Sequence, residues 1–256
     1  MRILMIGDVI GKPGRETVRT VLPDLKREKS IDFVICNGEN TAGGYGITAD
    51  TASELLDSGV DVLTSGNHIW DKKEIIPLMD EGLPLIRPAN YPDAPGRGYI
   101  HEGGVTVVNL MGRVFMASLD CPFRTADTLL ERLKEEGKSK VIIVDFHAEA
   151  TSEKQAMGWY LDGRVSSVFG THTHVGTVDA RILPKGTAYL TDVGMTGPSD
   201  SVIGSDKDAV LERFLTSLPN RLAVASGPCM LNAVLVDVDE TTGKTSLIER
   251  VDRTVN

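Results

Sequence analysis

Three observations predict an α/β fold built from parallel crossover units. Short apolar runs recur along the chain, and they are continuous rather than alternating, as in strands buried on both faces. Amphipathic helical stretches separate them, so strand and helix alternate. Each run also ends in a small or turn residue beside polar donors, at the strand's carboxyl end, where open α/β sheets place their ligands. With 256 residues, 41% of them hydrophobic, the chain is long enough for one large domain, 1–256, with a full core.

Arg2 to Gly7 reads as the first buried strand, with Asp8 at its exit. Gly11-Lys12-Pro13-Gly14 has the look of a phosphate loop, but Pro13 stands where a Walker loop needs Ser or Thr, so that reading is rejected. Val18, Val21, Leu22 and Leu25 mark one face of a helix. Phe33-Val34-Ile35-Cys36 is a second strand, broken by Gly38 and followed by Glu39 and Asn40. Gly43 to Gly46 is a flexible loop, and Thr48 caps a helix through Leu55 and Leu56. Val60 to Ser65 is a third strand, with Gly66-Asn67-His68 as its exit.

The middle of the chain is less regular. Four prolines punctuate Leu83 to Gly98, read as loop with one short strand. Tyr99 to Leu110 reads as two strands around Gly103-Gly104, an antiparallel addition to the sheet. A helix through Leu129, Leu130 and Leu133 leads to a strand at Lys140 to Asp145, with Phe146-His147-Ala148-Glu149 as its exit. A helix at Glu153 to Leu161 precedes a strand at Ser166 to Gly170, whose exit is Thr171-His172-Thr173-His174. Two short strands surround Pro184-Lys185-Gly186, and Asp192 to Asp200 reads as an extended Gly/Pro loop, a lid or site wall. A helix near Asp208 to Leu215 and a hairpin of Met230 to Val238 with Ser246 to Val251 complete the chain.

A net charge of −9 argues against a protein that coats nucleic acid, and no Lys/Arg run marks a basic groove. The first apolar run is too short for a signal peptide, and no segment has the length of a membrane span. Cys36, Cys121 and Cys229 are odd in number and widely spaced, so no disulfide framework is implied; a cytoplasmic protein is the expectation.

Of the five histidines, His68, His147, His172 and His174 all lie at strand exits, whereas His101 sits mid-strand and reads as structural. Each exit taken alone also fits a plain polar turn. Together, Asp8, Glu39, Asn40, Asn67, His147, His172 and His174 supply three or four N/O donors to each of two cations, with Glu39 as the natural bridge. Two metals about 3.5–4 Å apart form the clamp used for hydrolysis at phosphorus. No cysteine joins the set, which disfavours a structural zinc site.

In this order, Asp8, Glu39-Asn40, Gly66-Asn67-His68, His147 and Gly170-Thr171-His172-Thr173-His174 resemble the calcineurin-like metallophosphoesterase superfamily. Two positions depart from its pattern: Ile10 stands where the superfamily has a histidine, and Gly38-Glu39-Asn40 replaces its Gly-Asp. These departures, and the loop Thr191 to Gly197, are similar to a bacterial, YmdB-like branch associated with 2′,3′-cyclic-nucleotide phosphodiesterase activity. The resemblance implies a β-sandwich of mixed sheets flanked by helices. It further implies a first metal on Asp8, Glu39, Asn40 and His174, and a second on Glu39, Asn67, His147 and His172. His68 would remain unligated as the proton donor while a metal-bound hydroxide attacks phosphorus. Iron is the implied metal, with manganese or zinc compatible with the donors. The partner is a small phosphodiester or nucleotide, with no membrane and no extended nucleic acid, and a homo-oligomer stays open. Since no Arg or Lys adjoins the motif blocks, diesters should be preferred to monoesters. A nucleotide phosphomonoesterase and a metal-containing regulator with little turnover are the rival readings.

Overall fold

The chain starts in a strand that is apolar on both faces, β1 (Arg2–Ile6), and then turns at Gly7 into a short second strand, β2 (Asp8–Val9). The computed structural model describes residues 1–137 and 140–255. Helix α1 (Gly11–Lys29), β3 (Phe33–Asn37), α2 (Ala49–Asp57) and β4 (Val62–Thr64) follow. β3 runs parallel to β1, and β4 runs parallel to β3. A 3₁₀ helix (Lys73–Asp80) leads to the hairpin β5 (Tyr99–Glu102) and β6 (Val105–Met111). A second alternating series comprises α3 (Pro122–Glu135), β7 (Ile142–His147), α4 (Thr151–Leu161), β8 (Ser167–Thr171), β9 (Arg181–Ile182) and β10 (Ala188–Leu190). The last elements are β11 (Met195–Pro198), α5 (Lys207–Thr216), β12 (Cys229–Leu231), β13 (Ala233–Val238), β14 (Thr245–Arg250) and β15 (Arg253–Val255).

Two mixed sheets face one another, in the orders β14-β13-β1-β3-β4 and β5-β6-β7-β8-β10-β9. Side chains alternate across each strand. Ile3, Met5, Phe33, Ile35 and Val62 therefore meet Val105, Val107, Ile143, Phe169 and Leu190 in the layer between the sheets. Leu4, Ile6, Val34 and Cys36 point the other way, under Val18, Leu22 and Leu25 of α1 and Leu55 of α2. On the far side, Leu110, Ile142, Val144 and Phe146 carry Ala126 and Leu133 of α3 and Met157 and Leu161 of α4. The architecture is the helix-flanked sandwich of mixed sheets that the sequence implied.

A third sheet, β15-β12-β11-β2, departs from the sequence reading. Met195–Pro198 is a buried strand, paired parallel with Asp8 and Val9 and antiparallel with Cys229 to Leu231, so the segment is held within a sheet and is not a mobile lid. Asp8 accordingly opens a strand instead of ending one. Met230 belongs to this sheet, and the closing hairpin is β13 with β14. The stretch 83–98 holds no strand of its own among the described residues; Leu85 makes a single parallel bridge to Leu63. The pairing of Asp8 with Met195 joins distant parts of the chain. Such non-local contacts leave no periodic trace in the local sequence.

The crossing from the first sheet to the third depends on Gly7, since a Cβ there would lie 1.9 Å from the Gly194 carbonyl oxygen. Gly7→Ala must push the two segments apart and should cost about 1–3 kcal/mol, as overpacking of a tight site does. Urea unfolding of the variant checks this; a midpoint equal to that of the parent would show that the crossing is looser than the geometry implies.

Candidate metal centre and its cleft

β3, β4, β7 and β8 run parallel, so their carboxyl ends open on the same edge of the sandwich. Glu39 and Asn40 lie just beyond β3, Asn67 and His68 beyond β4, His147 ends β7, and His172 and His174 lie beyond β8. Asp8 reaches the same place from β2. Beneath them sits a polar layer that bridges the two main sheets. The Asp145 carboxylate on β7 accepts from Thr171 Oγ1 at 2.7 Å, from Asn37 Nδ2 at 3.2 Å and from Thr64 Oγ1. Burial pushes the Asp145 carboxyl up to about 6, against the opposing pull of His147.

The Nδ1 of His147 meets the Thr171 hydroxyl at 2.9 Å, which turns Nε2 toward the cluster. That Nε2 lies 3.1 Å from Glu39 Oε1, 2.9 Å from Asn67 Oδ1 and 3.0 Å from His172 Nδ1. Glu39, His147 and His172 thus offer ligand atoms that all lie within 4.8 Å of one another. A second group adjoins the first. Asn40 Nδ2 is 3.3 Å from both Glu39 Oε1 and His174 Nε2, and His174 Nε2 is 3.8 Å from Asp8 Oδ1. Rotating the Asn40 amide by half a turn exchanges its nitrogen for its oxygen. All seven sequence-predicted donors therefore meet in one place.

Lone-pair atoms this close repel unless a proton or a cation lies among them. Burial works against charge on His147, yet the Glu39 carboxylate overrides it and draws the ring up to about 9. Glu39 is itself held at about 2: burial opposes ionisation, and the charge and hydrogen bond of His147 outweigh it. His172 falls to about 3 through its burial and the charge on His147. Burial raises Asp8, and its Oδ1 is buried with no hydrogen-bond partner among the described residues. A buried carboxylate oxygen left without a donor is costly, and mixed N/O donors around it suit a divalent transition cation. The residues present fit such a cation. Gly66 leaves the needed space, for a Cβ there would lie 2.3 Å from His147 Nε2 and 2.5 Å from Glu39 Oε2.

His68 stands at the rim. Its backbone nitrogen donates to Glu39 Oε2 at 3.1 Å, its Nδ1 lies 2.8 Å from Asp71 Oδ2, and its ring meets Tyr45 edge-on. Ile10, where the superfamily has a histidine, is buried against Gly197 and Gly204.

Several contributors were missed by the sequence reading. Asp71 was missed although it lies one helical turn's spacing from His68. Asp192 accepts from Thr173 through both the backbone nitrogen and the hydroxyl, and its Oδ2 lies 2.6 Å from Lys154 Nζ. This matters because His172 and His174 flank Thr173 at φ of 99° and 63°, conformations that surroundings must enforce. The signal was present, a lysine on the inward face of α4, but lysines commonly face solvent. Arg213 is a further contributor: it stands far from the motif blocks in sequence, and α5 brings it to the cleft above the donors. His101 lies on β5, its Nδ1 3.0 Å from the Thr106 hydroxyl.

The likenesses to known proteins agree with this arrangement. A crystal structure of a hypothetical protein from Thermus thermophilus superposes with a TM-score of 0.92 at 45% identity, over 100% of both chains. A crystal structure of a phosphatase from Mycoplasma pneumoniae gives a TM-score of 0.93 at 34% identity, over 100% of this chain and 94% of that one. The 2′,3′-cyclic-nucleotide 2′-phosphodiesterase of Bacillus subtilis (strain 168) is 51% identical, over 98% of this chain and 96% of the relative. The class so defined is an enzyme of the metallophosphoesterase fold. Within it, the family model for YmdB-like proteins matches residues 4–251, and the chain belongs to that family.

The Lys154–Asp192 pair gives a direct test of how the histidine turn is held. Lys154→Met leaves a buried carboxylate without its cation, which typically costs about 3–5 kcal/mol. The expected result is a lower urea midpoint together with reduced metal content at equal total metal. Unchanged stability would mean that the hydrogen bonds from Thr173 and from the Gly194 nitrogen, which donates to Asp192 Oδ1 at 2.8 Å, suffice to hold Asp192.

Proposed function

We propose that this chain is a metal-dependent phosphodiesterase whose substrates are 2′,3′-cyclic nucleotides. The observation that carries this reading is the convergence of seven N/O donors, with an orphaned Asp8 oxygen among them, of which Glu39, Asn40, His172 and His174 line a cleft. The name of the 51% identical Bacillus subtilis relative supports the substrate class. On this reading a first cation is held by Asp8, Glu39, Asn40 and His174, and a second by Glu39, Asn67, His147 and His172. Iron is the metal proposed, with manganese or zinc accepted by the same donors. A cation pair, when bound, supplies activation of water and neutralisation of phosphoryl charge. The protein's own groups do the rest. The hydrogen bond that His147 Nδ1 donates to Thr171 Oγ1 keeps His147 Nε2 turned inward, and Glu149, 3.1 Å from His172 Nε2, turns His172 Nδ1 to the floor. Asp71 holds His68 through Nδ1, so its Nε2 can deliver a proton to the departing ribose oxygen. The same reading takes the chain as one domain, working in the cytoplasm; its three cysteines, none in a disulfide, support the location. Among the described residues no helix is long and apolar enough to cross a membrane.

Hydrolysis of a panel of 2′,3′-cyclic, 3′,5′-cyclic and linear nucleotides, with metal analysis, tests the function. Turnover of the 2′,3′-cyclic members, abolished in Asp8→Ala, is expected; a metal-loaded protein that turns over none of them is a regulator instead. Glu39 is placed between both donor groups, so Glu39→Ala should lose both metals, whereas Asn40→Ala should weaken mainly one. Elemental analysis finding two full equivalents in Glu39→Ala would sink the bridge.

The role of His68 separates by leaving group. A ribose alkoxide needs a proton as its bond breaks, and a positioned acid contributes about 10²–10⁴-fold to such a step. Nitrophenolate leaves readily as an anion. His68→Ala should therefore keep its metals, lose rate by about that factor on 2′,3′-cyclic nucleotides, and lose much less on bis(p-nitrophenyl) phosphate. Equal losses on both substrates would assign His68 to charge stabilisation and not to proton transfer.

A further inference from the structure

The cleft above the donor floor has a volume of about 530 Å³, and its two sides differ in chemistry. The floor is carboxylate, amide and imidazole. The opposite side is apolar, and it comes largely from residues 202–224, beyond the last motif. On α5, Val210, Arg213 and Phe214 stand at i, i+3 and i+4, the spacing that places side chains on one helix face. Phe214 is 79% exposed, Ile203 51% and Tyr45 40%, so large apolar groups face open water around a single cleft. The Arg213 guanidinium forms no ion pair among the described residues.

Ile203 has a second peculiarity. It is β-branched, yet it adopts φ of 48°, a left-handed conformation unfavourable for such a residue. The turn that enforces it is closed by reciprocal backbone bonds between Val202 and Ser205, at 2.9 and 3.0 Å, and by Gly204 nitrogen donating to Ser201 Oγ at 2.9 Å. The Ile203 carbonyl accepts from His174 Nδ1 at 2.9 Å. One turn thus fixes the ring of a floor histidine and presents an apolar side chain to the cleft above it. Strain of this kind persists only where the surrounding structure over-determines it, as these hydrogen bonds do here.

We propose that this wall, formed by Tyr45, Ile203, Val210, Phe214 and Val224 and edged by Arg213, binds the nucleobase and makes the enzyme select nucleosidic substrates over other phosphodiesters. The inference rests on the phosphodiesterase reading for the group at the floor, and it adds the element that chooses among substrates. A base stacks on aromatic and apolar surface irrespective of its identity. A guanidinium lies over a ring face or hydrogen-bonds a base edge without needing a carboxylate partner. Since Ile203, Val210, Phe214 and Val224 carry no side-chain donors or acceptors, the wall discriminates mainly by contact area. All four bases are accepted, and purines are favoured over pyrimidines.

The test compares adenosine 2′,3′-cyclic phosphate with the 2′,3′-cyclic phosphate of ribose lacking a base, on metal-loaded protein and its Phe214→Ser and Arg213→Gln variants. The wild type should prefer the nucleotide in kcat/KM, and Phe214→Ser should cut that preference about tenfold, chiefly through KM, as loss of an apolar contact does. A preference within twofold of wild type in both variants overturns the proposal. Calorimetric binding of adenosine 3′-monophosphate and ribose 3-phosphate to the same proteins supplies a readout that needs no turnover. Tighter binding of the nucleotide, lost in Phe214→Ser, supports the wall even if no cyclic nucleotide is hydrolysed and the catalytic reading fails. Equal binding of the two ligands by wild type rejects the wall even if hydrolysis is fast.

Discussion

The buried carboxylate of Asp145 is the constraint on which the site depends. It lies where the apolar layer between the sheets gives way to the polar floor, and it forms no ion pair among the described residues. A group of this kind is tolerated only when its oxygens are satisfied by hydrogen bonds. The donors come from both sheets: Asn37 and Thr64 from one, Thr171 from the other. The sheets are thereby pinned at the edge where β3, β4, β7 and β8 end. Thr171 also meets His147 Nδ1, so the bond network that joins the sheets sets the direction of the central imidazole. Register between layers and orientation of a ligand atom are one interaction here. Apolar contacts alone are non-directional and would fix neither.

A second polar arrangement serves the other end of the floor. The turn Thr171 to His174 has two residues in the left-handed region, which costs free energy that local interactions do not recover. Asp192 holds the turn at Thr173, and Lys154 neutralises Asp192 from below. A buried ion pair is a weak source of stability compared with an apolar pair of equal volume. What this one supplies is position, since two oxygens and one ammonium leave the turn a single arrangement. The floor is therefore supported from beneath by Asp145 and from behind by Lys154 and Asp192. It is open on the side where the 202–224 segment stands.

Motif and support differ in how visible they are in a sequence. Glu39-Asn40, Gly66-Asn67-His68 and His172-Thr173-His174 were legible because each follows an apolar run, and parallel strands bring all such exits to one edge. Lys154 and Asp145 were not, because a lysine in a helix and an aspartate in a strand carry no local mark of what they face. The segment 192–200 was misread for a related reason. Its glycines and proline are turn residues by composition, and only its pairing with Asp8 and Val9 makes it a strand.

By itself, then, the sequence determined the succession of buried strands and covering helices and the polar residues, His68 among them, at the strand exits. Those features follow from short-range periodicity, which registers burial on one face or two; the sandwich was implied only by the resemblance that the motifs carry. Tertiary structure alone decided which residues stand over the donors and which stand behind them. Arg213, Phe214 and Ile203 reach the cleft from beyond the last motif, and β11 and β12 join β2 across most of the chain's length. Such meetings depend on how three sheets stack, and no local spacing in the chain records it.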